Sequence, residues 1–276
     1  MKLKHVLLSA MIIALIFALC ACGGDKEPAE TPEPSYAPPA VNTEAPDSPE
    51  ESDAPSNGGT SDNGTSNNGS TPSSQLGQTA DAGSEYLQKM VFIGDSTTYG
   101  LKAYNVLPAS QVWTPTSGTL ALFNQSIATI LYPPTNTEVP ITDAVGMAKP
   151  AYVVLTIGVN GVSMMDEDSF KSQYIDLVTR IQSVSPDTKI ICNSIYPVEA
   201  SYEAKGNGIN NAVIDRANGW IAEIAATTGT KYTDSASVLK GSDGKLIHEY
   251  GNGDGIHLCA AGFERVMNYL KTHAWL

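Results

Sequence analysis

Three short apolar runs, each continuous rather than alternating, restrict this chain more than any other feature. Residues 90–93 (Met-Val-Phe-Ile) are stopped by Gly94, residues 151–157 (Ala-Tyr-Val-Val-Leu-Thr-Ile) by Gly158, and residues 189–195 form a third. A strand with one wet face alternates apolar and polar residues, so an unbroken run predicts a strand covered on both faces, as in a parallel sheet. Between the runs, apolar residues fall at helical spacing. Phe170, Tyr174, Leu177, Val178 and Ile181 share one face, with Asp166 and Asp168 suited to the first turn. Val213, Ala217, Trp220, Ile221 and Ile224 repeat the pattern, Gly229 is placed to end that helix, and a last helix is predicted from about 261 to 273. Strands alternating with helices predict an α/β fold on a parallel sheet, with functional groups gathered at the carboxyl ends of the strands.

That pattern is confined to the later part of the chain. Residues 25 to about 80 are dominated by Pro, Ser, Thr, Asn, Gly, Asp and Glu, with Tyr36 as the single aromatic. Too few apolar side chains are present to offset the entropy of ordering, which predicts disorder. The expected organisation is a leader at 1–21, an acidic tether at 22–82 and one folded domain at 83–276. Of the net charge of −13, residues 25–79 carry −9 and residues 80–276 carry −6, against +2 at the start. No basic face for a nucleic acid is expected. A flexible tether of about 55 residues has a root-mean-square span on the order of 40 Å, enough to hold a domain off a bilayer.

At the amino terminus, Lys2 and Lys4 precede an apolar run at 6–19 interrupted only by Ser9. The run matches a signal-peptide core and is short of the roughly 20 residues a membrane span needs. It ends in Leu19-Cys20-Ala21-Cys22, which resembles the bacterial lipobox, with Cys22 as the lipidated residue; Cys20 does not fit, because Leu19 occupies the small-residue position. The expectation is an extracytoplasmic protein held to the bacterial membrane by a lipid alone. Cys192 and Cys259 would then remain, either paired in an oxidising compartment or apart, with Cys192 as a small core residue.

Three motifs stand at the ends of the apolar runs or before the last helix. Gly94-Asp95-Ser96-Thr97 follows the first run, Gly158-Val159-Asn160-Gly161 follows the second, and Asp254-Gly255-Ile256-His257 precedes the last helix. A serine hydroxyl needs a neighbouring base to attack an ester, and imidazole exchanges its proton near neutral pH. His257 is favoured: His5 lies in the leader, His273 is at the carboxyl terminus, and His248 has no acidic residue at useful spacing. Asp254 is placed to fix the ring tautomer. Gly-x-Asn recurs at Gly208-Ile209-Asn210, but only the first copy follows a strand-like run.

Together and in this order, these motifs resemble the SGNH or GDSL hydrolase family across residues 88–274. The resemblance implies a flavodoxin-like three-layer α/β/α sandwich with about five parallel strands and a Ser96–His257–Asp254 triad. It also implies an oxyanion hole formed by the Ser96 N–H, a loop glycine N–H taken as Gly118, and the Asn160 amide. Asp95 is expected to hold the nucleophile turn rather than to react. The sequence departs from the common pattern at Thr97, at Gly161, where an acidic residue often follows the asparagine, and at Cys259. No cofactor is implied, and no metal is expected from the three histidines of the domain.

Trp113 either walls the acyl or sugar site or belongs to the core. The segment 120–142 is mixed and broken by Pro133, Pro134 and Pro140, which predicts no apolar lid and hence short acyl chains. The leading expectation is an esterase acting on small acyl, chiefly acetyl, esters of cell-surface or environmental carbohydrate. The alternatives are a lysophospholipase or thioesterase of the same family, and a catalytically silent glycan-binding lipoprotein.

Overall fold

The computed structural model describes residues 74–276. The expected leader, with His5 and Cys20, the lipid attachment at Cys22, and the tether through residue 73 lie outside the described residues.

Residues 74–82, which composition assigned to the tether, pack on the domain. Gln75 bridges Tyr232, the Thr79 N–H donates to the Thr272 carbonyl at 2.6 Å, and Leu76 is buried. Leu76 is the single large apolar side chain in this stretch. It joins a cluster with Tyr86 and Leu87, an effect that a long compositional window averages away.

Seven strands are present among the described residues: β1 Met90–Gly94, β2 Val112–Trp113, β3 Thr129–Tyr132, β4 Thr137–Pro140, β5 Tyr152–Thr156, β6 Lys189–Asn193 and β7 Lys231–Thr233. Five form one parallel sheet in the order β2-β1-β5-β6-β7. Counted within the sheet this is 2-1-3-4-5, the flavodoxin-like order. Strands β3 and β4 pair as a separate antiparallel hairpin. The helices are α1 Gly83–Gln88, α2 Ser96–Ala103, α3 Ile141–Ala148, α4 Glu167–Val184, α5 Ala200–Glu203, α6 Asn211–Thr228 and α7 Ala260–Thr272.

Side chains of β1 alternate between two cores. Val91 and Ile93 pack with residues of α3, α4 and α6, whereas Met90 and Phe92 pack with residues of α1, α2 and α7. Both faces of the sheet are therefore dry, as the continuous apolar runs require. The five residues expected to face inward on α4 are all buried. Asp166 caps that helix by accepting from the Ser169 N–H at 2.8 Å, and Gly229 ends α6 in the left-handed conformation. Trp113 is core: it is buried, donates Nε1–H to the Ser110 carbonyl at 2.9 Å, and meets Tyr132 edge-on.

Among the described residues, Cys192 and Cys259 are both free, with no disulfide between them. Cys192 is fully buried in β6, where burial pushes its thiol up to about 11 despite bonds to Thr230 and Tyr174. Cys259 stands at the head of α7, with Sγ donating to the Glu249 carbonyl at 3.3 Å. No helix among the described residues is long and apolar enough to cross a membrane.

Candidate active site

Ser96 is the first residue of α2 and directly follows the turn at the end of β1. Its N–H belongs to the first turn of a helix, where donors have no intrahelical acceptor and the dipole favours negative charge. Asp95 forms the cap. One carboxylate oxygen, Oδ1, accepts from the Thr97 N–H at 2.9 Å and from the Thr97 hydroxyl at 2.7 Å. The other, Oδ2, accepts from the Asn160 amide at 3.0 Å. Asp95 is completely buried, and that burial pushes its carboxyl up to about 6 against the bonds from Thr97 and the pull of nearby His257. Thr97 is therefore a structural partner of Asp95, which gives the departure at that position a local reason.

The base arrives on the loop between β7 and α7. His257 Nε2 lies 2.9 Å from Ser96 Oγ, and Nδ1 lies 2.6 Å from Asp254 Oδ2. An ionised carboxylate only accepts, so Nδ1 carries the proton and Nε2 of the neutral ring presents a lone pair to the serine hydroxyl. The loop is held mainly by its own residues, with a bond from a distant lysine. Asp254 Oδ1 accepts from the N–H groups of Ile256 and His257, both at 2.9 Å, and Lys205 donates to the Asp254 carbonyl at 3.0 Å. Partial burial works to raise the Asp254 carboxyl, but the bonds from the His257 ring and from the two backbone N–H groups outweigh it. They hold the group well below the usual carboxylate range.

The structure thus brings Ser96, His257 and Asp254 into one relay, with Asn160 beside it. One assignment for the oxyanion donors changes, and another is qualified. Gly118 does lie next to Ser96, since a Cβ on it would stand 3.8 Å from the serine Cβ. However, with φ at 71° it closes a turn in which its N–H donates to the Pro115 carbonyl at 3.0 Å. That N–H is spent on the turn and is not offered to an oxyanion. The Asn160 amide is also engaged twice, by Asp95 and more weakly by the Leu120 carbonyl at 3.3 Å. The longer bond is the one an oxyanion can displace.

Asn210 of the second Gly-x-Asn caps α6 by accepting from the Val213 N–H at 3.0 Å. His248 does have an acidic partner, Glu199 Oε2 at 3.3 Å, supplied from 49 residues away. Sequence spacing gives no signal for it, nor for Leu120 or Lys205 in the site. Among the described residues no group of three or more His, Cys, Asp or Glu is placed to hold a metal.

Residues 92–265 match the model of the GDSL-like lipase/acylhydrolase family. Among solved structures, a GDSL-like lipase from Bacteroides thetaiotaomicron is similar at 16% identity, covering 67% of this chain and 86% of that one with a TM-score of 0.48. A carbohydrate esterase family 3 protein from Talaromyces cellulolyticus is similar at 17% identity, covering 65% of this chain and 94% of that one with a TM-score of 0.42. No curated protein matches the chain.

Proposed function

Because the chain belongs to the GDSL-like lipase/acylhydrolase family, whose members are acyl ester hydrolases, we propose that it is a serine esterase in which Ser96 is the nucleophile. The observation that carries this is the unbroken relay from Ser96 Oγ through both ring nitrogens of His257 to Asp254. As Oγ attacks the acyl carbon, its proton passes to Nε2 and the carbonyl π-electrons move to oxygen. Asp254 stays ionised and stabilises the imidazolium. The oxyanion meets the Ser96 N–H and the Asn160 amide, which turns from Leu120 to receive it. Collapse expels the alcohol, which leaves with the proton from Nε2. Water then repeats the sequence on the acyl-enzyme and releases the acid.

The substrate class we propose is a short acyl ester, chiefly acetyl, carried on cell-surface or environmental carbohydrate. The protein works outside the cytoplasm, tethered by a lipid on Cys22. Support for the location comes from the lipobox-like residues 19–22 and the acidic, apolar-poor stretch after them. Fluorophosphonate labelling of the purified wild type, lost in Ser96→Ala, tests the nucleophile; labelling retained in that variant would refute it. A chain-length series of esters should peak at acetate, and turnover rising through eight to twelve carbons would favour a lysophospholipase instead. Fatty-acid analogue labelling should vanish in Cys22→Ala and persist in Cys20→Ala.

A further inference from the structure

Beside Asn160 an apolar surface stands open to solvent. Phe123 is 50% exposed and Met164 74%. Phe123 is held there by its neighbours. It sits in a 3-10 turn, Leu122–Asn124. Leu122 is fully buried, and Gln125 is 2% exposed with side-chain bonds to Gln173 at 3.2 Å, to Asp176 at 2.8 Å, and to Arg180. With Leu122 and Gln125 turned inward, the Phe123 ring faces solvent. Gly161 completes the surface. A Cβ there would stand 2.9 Å from two carbons of the Phe123 ring and 3.9 Å from the Met164 methyl, and its φ of 99° disfavours any side chain. The departure from the common pattern at Gly161 is thus matched by the ring that occupies the vacated space.

We propose that Phe123 and Met164 form a platform for the ring of a sugar that carries the scissile ester, so that the site selects ester-bearing glycans over fatty-acyl substrates. This rests on Ser96 being the nucleophile. An acyl chain lying on such an unwalled surface buries one side of each methylene and gains only part of the benefit of full burial. It must also give up torsional freedom to lie there. A sugar ring has few internal torsions to freeze, and its C–H face meets the negative face of an aromatic ring. A preorganised, exposed phenyl ring therefore favours the rigid partner over the flexible one.

The test compares acetate release from acetylated xylo-oligosaccharide and O-acetylated peptidoglycan fragments with release from ethyl acetate, whose alcohol has no ring. In Phe123→Ala the ratio of kcat/KM for the better glycan to that for ethyl acetate should fall at least fivefold, mostly through KM. Phe123→Tyr should keep most of the ratio, and Met164→Ala, at a more exposed position, should lower it in the same direction. A ratio within twofold of wild type in Phe123→Ala overturns the platform. So does a selective loss of octanoate ester hydrolysis, which would place an acyl chain there. Wild type that fails to take a fluorophosphonate label brings down the nucleophile assignment. Wild type that labels but shows no preference for either glycan over ethyl acetate brings down the platform alone.

Discussion

The turn that carries Ser96 and the loop that carries His257 are built by opposite means, and their two aspartates show it. Asp95 is completely buried, its carboxylate shared between Thr97 and Asn160 across 65 residues of sequence. Asp254 is 41% exposed at its side chain, and its carboxylate binds residues no more than three positions away. Burial raises the first carboxyl to about 6, while close donors hold the second well below its usual range. One turn is held by a partner from across the core, whereas the other orients its histidine from a carboxylate three residues away, with Lys205 and Glu199 tying the loop backbone to the domain. Substitutions at the two should therefore differ in reach, those at Asp95 disturbing a turn shared with Asn160 and those at Asp254 acting chiefly on the histidine beside it.

The largest expected effect lies where the two regions meet. Ser96→Ala should lower ester turnover by at least about ten-thousandfold, and adding His257→Ala should cost little more, because relay members act as a unit. Steady-state kinetics with circular dichroism as a folding control checks this. Equal independent losses that multiply would mean the two residues do not share one proton path. Next in size is Asn160→Ala, which removes an oxyanion donor and should lower turnover roughly a hundredfold with a far smaller change in binding. A raised KM at unchanged turnover would show that Asn160 only binds.

The same contrast explains what the sequence made legible. Asp254 and His257 were readable because their interaction is local, and Ser96 because its motif directly follows a buried strand. The partners of Asn160 were not, since Asp95 lies 65 residues away and Leu120 lies 40. The direction of the Gly118 N–H depends on a turn that sequence leaves open. In the fold, the runs at 90–93, 151–157 and 189–195 became strands, but β2 and β7 hold two and three residues, too short to leave a pattern. The β3–β4 hairpin was hidden by prolines. Pro133 and Pro134 occupy the connection between its strands and Pro140 ends β4, positions a two-stranded edge tolerates.

A smaller effect separates the aspartates by pH. For Asp95 the folded carboxyl ionises at about 6, above the ordinary aspartate value of 3.8. Between those values the folded state holds the proton the unfolded chain has lost, so this group's contribution to stability falls as pH rises, by on the order of 3 kcal/mol in all. Asp254 acts with the opposite sign: its contribution is present above the ordinary carboxylate range and is lost on acidification. In Asp95→Asn the first slope should disappear. Urea unfolding at pH 4 and pH 7 should show a variant that gains relative to wild type at the higher pH. Turnover should nonetheless fall about tenfold or more, because the new amide sets a donor against the Asn160 donor. A wild-type-like pH slope in the variant would mean that Asp95 is not the buried group responsible.

The smallest effect tests whether the His257 loop is as self-contained as its hydrogen bonds imply. Cys259 sits at the N-cap of α7, with extended backbone at φ −88° and ψ −178°, yet no side-chain cap bond is made there. Its carbonyl already accepts from the Phe263 N–H at 3.1 Å, as a cap residue should. A thiol is a weak acceptor, whereas a serine hydroxyl is among the best caps and is worth typically about 1 kcal/mol over a residue that makes no cap bond. Cys259→Ser should therefore stabilise the domain by up to about 1 kcal/mol, a rise of roughly 2–4 °C in Tm for a domain of this size. The bonds that orient His257 all lie at or before residue 257, so turnover should stay within about twofold, in keeping with a side chain outside the relay. Thermal unfolding and ester kinetics on the same preparation decide it. A lower Tm would show that the Sγ bond to Glu249 outweighs the cap, and a stable variant with turnover reduced tenfold would show that the loop draws its alignment from α7 after all.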